Sequence, residues 1–225
     1  HQFIFALLWS TRYREALAMQ RETSPMADQL GDSRSKAYSL AGEIHVSTIF
    51  APKPPDEFET IKREAIKAAS DTTDAYIQNW TRFVIGWEEF HRGHITDARI
   101  SAHELMQVGR MLGDPRSTGL GLALLTWIAL VSDSPTEALD YSEQSLEVAV
   151  TPFDRNGAIG GMGCALVLLR RTEQGLKLLE ENNRRCVVDG DLYTLNGSEG
   201  ILAVGKVLRG NIGDGIRLLE EGILK

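Results

Sequence analysis

Apolar residues along this chain recur at the spacing of a helix face. Leu176 and Leu179, and Ile216 and Leu219, repeat at three, while Ile61, Ala65, Ala68 and Ala69 repeat at threes and fours. No alternating apolar and polar run bounded by turn residues argues for a strand. The pattern predicts an all-α chain, with helices over roughly 2–9, 12–30, 33–49, 56–70, 73–91, 95–112, 115–131, 135–149, 155–170, 172–187, 191–208 and 212–224. One proline-rich stretch, Ala51-Pro52-Lys53-Pro54-Pro55, must break the helices, because proline lacks an N–H and turns its predecessor away from helical geometry. It is too short for a flexible linker, so residues 1–225 read as one domain.

The punctuation between these helices repeats. LGDSRS at residues 30–35 and LGDPRS at 112–117 agree at five of six positions and lie 82 residues apart. Glycine accepts the left-handed backbone that ends a helix, and aspartate caps the next helix through its carboxylate. Pro115 falls at the first helical position, where a missing N–H costs nothing. Further joints keep step: Asp71 or Asp74 lies midway, Asp154 follows Asp114 by 40, and Asp191, after Gly190, follows Asp154 by 37. A second marker places a small residue five positions after a turn, in Gly93 and Ala98, Asp133 and Ala138, Arg170 and Gly175, and Gly210 and Gly215. Small residues there let antiparallel helices approach closely. A period close to 40 residues predicts a right-handed solenoid of antiparallel helix pairs, each burying its apolar face on its neighbours.

With Ala98, Gly175 and Gly215 at the second small position of a tetratricopeptide motif, Gly86, Gly163 and Ala203 fall twelve residues earlier, at its first. The chain resembles a degenerate tetratricopeptide array, with a period longer than the usual ~34 residues and an incomplete Trp-Leu-Gly-Tyr signature. A narrower resemblance rests on DPRSTGLGLALLTWIALVSD, AVTPFDRNGAIGGMGCALVLLRR, CVVDGDLYTLNGSEG and VLRGNIGDGIRLLEEGI, with WTRFVIGWEEFHRG in the first half. These stretches look like the C-terminal helical region of bacterial class III adenylate/guanylate cyclase-like proteins. There a cyclase domain and an ATPase module precede a repeat array. The resemblance implies a regulatory or scaffolding segment of a signalling protein and nothing catalytic in this region. The opening His1-Gln2-Phe3, already apolar and without an initiator Met, reads as part of a longer protein.

Charge narrows the partners. A net charge of -7 argues against a general nucleic-acid binder, which needs a basic face. No run approaches the ~18 apolar residues of a membrane span. Two cysteines, Cys164 and Cys186, make no disulfide framework, and the chain reads as cytoplasmic.

Candidate chemistry is sparse. Gly157, Gly160, Gly161 and Gly163 evoke a dinucleotide loop, but that chemistry needs a preceding strand, and Thr151-Pro152-Phe153-Asp154 reads as a helix start. His91, His94 and His103 lie near Glu88 and Glu89, yet nothing in their spacing makes three ligands converge, so solvated or capping histidines are the simpler reading. Cys164 reads as a small buried residue, and Cys186 has no histidine nearby to activate it. No catalytic residue, metal ligand or cofactor site is expected.

Trp80, Phe83, Trp87 and Phe90, spaced by threes and fours, form an aromatic stripe on one helix face, and Trp127 sits one repeat after Trp87. Such a stripe packs inward as core. Alternatively, because the first helix of each pair lines the concave side, these five residues line a groove for a peptide or a flat small molecule. Two functions follow from the sequence. One is a non-catalytic interaction module, binding a protein, a peptide or other domains of the parent chain. The other is an effector-binding superhelix like those of bacterial transcription activators.

Overall fold

The computed structural model describes Ile4, Ala6, Leu7, residues 10–50 and residues 52–223, except the side chains of 49, 50 and 221–223. The expected helix over 2–9 lies largely outside the described residues. Eleven helices follow: α1 (Tyr13–Leu30), α2 (Ser33–Phe50), α3 (Pro55–Ser70), α4 (Ala75–His91), α5 (Ile95–Leu112), α6 (Pro115–Val131), α7 (Pro135–Glu147), α8 (Pro152–Leu168), α9 (Thr172–Asp189), α10 (Leu192–Leu208) and α11 (Ile212–Ile223). There is no strand among the described residues.

Each helix packs on the next. The even-numbered helices also pack on one another, α2 on α4, α4 on α6, α6 on α8 and α8 on α10, whereas no odd-numbered pair does so among the described residues. That asymmetry curves the stack with the even helices inside, as in other solenoids built from helix pairs.

The turn markers carry the expected geometry. Gly93, Asp133, Arg170 and Gly210 have φ of 79°, 54°, 62° and 86°, and the small residue five positions after each is buried. Thr11, with φ of 57°, followed by the buried Ala16, is a further instance that the sequence reading did not include. A Cβ built on Gly175 would lie 2.7 Å from Val167 Cγ2, 2.8 Å from Gly163 O and 2.9 Å from Val167 N. Two of those atoms are backbone and cannot swing aside. Gly175→Leu should therefore cost on the order of 1–3 kcal/mol in urea unfolding, with a cost near zero disproving the close approach.

The repeated hexapeptide is an inter-repeat latch. Gly31 and Gly113 take left-handed backbone, and the carboxylates of Asp32 and Asp114 accept from Ser35 N–H at 2.8 Å and Arg116 N–H at 3.0 Å. The arginines, which the sequence reading left unassigned, reach forward one repeat: Arg34 Nε donates to Asp74 at 2.7 Å, and Arg116 Nη1 lies 3.5 Å from Asp154. Ser117 donates to Asp114 and accepts from Asn79 of the preceding repeat at 2.7 Å. Asp74 and Asp191 also cap their helices, so of the two midway aspartates Asp74 is the joint. Asp154 is a correction. It is not the N-cap of α8, because Pro152 starts that helix three residues earlier than expected and Thr151 caps it, with Asp154 returning a bond to the Thr151 N–H in a capping box. Asp114→Ala should lower stability by about 1–2 kcal/mol, the upper part of the range for a cap, because Ser117 also loses its acceptor. A neutral thermal melt would remove this role.

Candidate functional site

The aromatic stripe lies on α4, an inner helix. Successive ring centroids are 5.4 Å apart for Trp80 and Phe83, 6.0 Å for Phe83 and Trp87, and 5.6 Å for Trp87 and Phe90. Helical spacing of three and four is what brings such rings together. Trp80 and Trp87 are buried, at 3% and 8% exposure, while Phe83, Phe90 and Trp127 of α6 are half-buried. All five line a single cavity of about 520 Å³ on the inner side of the stack. Trp87 is core and wall at once: it packs with Ala98, Ala102 and Leu124, and it also lines the cavity.

The far wall comes from residues that the sequence reading did not single out. Tyr13 at the start of α1, Phe153 of α8 and Tyr193 of α10 complete the lining. Tyr193 has its ring centroid 6.5 Å from Trp87 and 6.5 Å from Phe153. Helices α4 and α10 do not pack on each other, so side chains alone bridge the winding of the superhelix. Burial pushes the phenols of Tyr13 and Tyr193 up, keeping both neutral. A signal for two of these residues was present. Phe153 and Tyr193 each lie two positions after a helix cap, Thr151 and Asp191, and 40 residues apart.

Polar groups are few. Asp154, Thr194 and Asn196 contribute on one side, and His45 and His91 on the other. His45 is buried, and desolvation, with a smaller contribution from His91, lowers its pKa to about 4, so it is neutral near pH 7. His91 Nδ1 lies 2.8 Å from Trp87 O, which places its N–H there. No lysine or arginine lines the cavity among the described residues.

The other candidate clusters are engaged structurally. Glu88 and Glu89 are buried at 1% exposure each. Arg92 donates to Glu88 at 2.7 Å, while Lys62 and His94 both bond Glu89. Ligand atoms of Glu89, His94 and Asp97 lie within 4.8 Å of one another, and the Lys62 ammonium already balances the one buried carboxylate there; His103 is not in that group. Gly157 to Gly163 all lie within α8, with Gly161 against Thr126 and Ser142 and Gly163 against Leu179. Burial raises both cysteine thiols to about 12, which leaves them protonated and poorly nucleophilic.

Among the described residues no helix is long and apolar enough to cross a membrane. No protein-family model matches the chain, and no curated protein is similar to it.

Proposed function

We propose that this chain is an effector-binding helical superhelix whose inner cavity takes a flat, largely apolar small molecule. The observation that carries this reading is the lining, in which rings from α4, α6, α8 and α10 converge on one space of about 520 Å³. That volume falls within the range of small-molecule sites, which are apolar clefts with a few placed polar groups. Of the two readings of the sequence, interaction scaffold and effector superhelix, a space walled by rings from four different inner helices favours the second.

Binding alone is the proposed role, without catalysis. Both thiols are buried away from the cavity. In the multidomain signalling setting that the second half resembles, such a domain senses an effector for the rest of the chain.

A library of flat aromatic compounds should contain binders that raise the melting temperature and change tryptophan fluorescence together. At a concentration of about 100 Kd, stabilisation of ~2.7 kcal/mol is expected. A library in which no compound moves either signal would defeat this reading.

A further inference from the structure

Resting on the cavity being a binding site, we propose that it selects a planar organic cation over neutral or anionic molecules of the same shape, with Asp154 as the carboxylate that favours the charge. The first ground is the walls. Aromatic faces carry the negative part of a ring quadrupole and attract a delocalised cation, tryptophan most strongly. Trp80, Trp87 and Trp127 all line this space.

The second ground is the charge balance of the lining. Asp154 supplies the one carboxylate among the described residues of the lining, and its side chain is only 11% exposed. It accepts the Thr151 N–H at 3.0 Å and is ion-paired with the Arg116 guanidinium at 3.5 Å, so a bound cation would share this carboxylate with an arginine that lies outside the lining. His45 is held neutral by burial, and His91 gives its Nδ1–H to a carbonyl. An anionic ligand would therefore enter a space with no lysine or arginine to meet it.

Helix ends point the same way. The first turns of α8 and α10 reach the cavity, and bare helix N-termini would attract anions. Both are already closed, α8 by Thr151 with Asp154 and α10 by Asp191. The opposite wall is formed by the last turns of α4 and α6, through Phe90, His91, Trp127 and Val131, and helix C-termini favour positive charge. The chain's net charge of -7 adds a long-range attraction of the same sign.

Three probes of one ring system separate shape from charge: N-methylacridinium, neutral acridine, and an acridine carboxylate, each measured by equilibrium dialysis at a pH where acridine is unprotonated. The acridinium should bind about ten-fold more tightly than acridine, with the carboxylate weakest. Asp154→Asn, which can still accept the Thr151 N–H, should erase most of that preference, read as the ratio of acridinium to acridine affinity on the same variant; circular dichroism checks that the fold persists. Equal binding of acridinium and acridine, or tighter binding of the carboxylate, overturns charge selection while the cavity reading stands. A preference that survives in Asp154→Asn overturns the role given to that carboxylate. If none of the three binds, cation selection fails, while the flat-ligand reading stands or falls on the compound library.

Discussion

Arg92→Ala should destabilise the protein by about 3–5 kcal/mol, the cost of leaving a buried charge without its partner. Arg92 follows α4 and holds three things. Its Nε donates to Glu88 at 2.7 Å, its Nη2 donates to Lys53 O at 2.9 Å, and its guanidinium lies 4.2 Å from the Phe58 ring centroid. Glu88 is 1% exposed, and its second carboxylate oxygen is buried without a hydrogen-bond partner. Alanine at 92 would strand that carboxylate and release the proline-rich connection that Lys53 occupies. Removing both charges is different, because a shape-matched neutral pair loses no solvation. Glu88→Gln with Arg92→Met should recover much of the loss in urea unfolding. If Arg92→Ala alone costs under about 1 kcal/mol, water reaches Glu88 and the pair is no structural hub.

What the sequence made legible follows from how local each cause is. Helix ends depend on one residue's backbone freedom or one capping side chain, so Gly31, Gly113 and Gly190 with the aspartate after each could be read directly. Small residues facing small residues are nearly as local, and Gly175 does meet Gly163, twelve positions earlier in sequence. Asp154 is an acidic residue at a helix start that is not the cap: Thr151, three positions earlier, holds that place, and the two side chains share one capping box. Arg34 and Arg116 were visible as part of a repeat, yet their targets lie in the next repeat, and only the stacking brings them there.

Convergence of the cavity's walls lay beyond such reading. The stripe on α4 is a helical pattern and could be found by counting, but counting cannot say whether a ring meets protein or open space. Tyr193 reaches Trp87 across a sequence separation of more than a hundred residues, through the summed curvature of several helix pairs. No single joint encodes that angle. Core and groove are alternatives for the stripe, and Trp87 is both, packing with Ala98 and Ala102 of α5 and Leu124 of α6 while also lining the cavity.

That double role gives Trp87 and Trp127 different expected phenotypes. Trp87→Ala should cost about 3 kcal/mol in stability, the low end for a buried tryptophan, because one face already borders open volume and the truncation enlarges an existing space. Trp127 is half-buried on α6, so Trp127→Ala gives up less burial and should cost about 1–2 kcal/mol by area removed from water. Binding should rank the other way relative to stability. Trp127→Ala removes a half-buried ring that lines the cavity and packs only at the margin of the Trp87 cluster, and it should weaken an aromatic probe about ten-fold in a protein that still melts cooperatively. Trp87→Ala should lose binding and stability together. Urea unfolding and probe binding measured on both variants decide the matter. Were Trp127→Ala to destabilise as severely as Trp87→Ala, its ring would be core, and the aromatic wall would shrink to the surface of a packing defect.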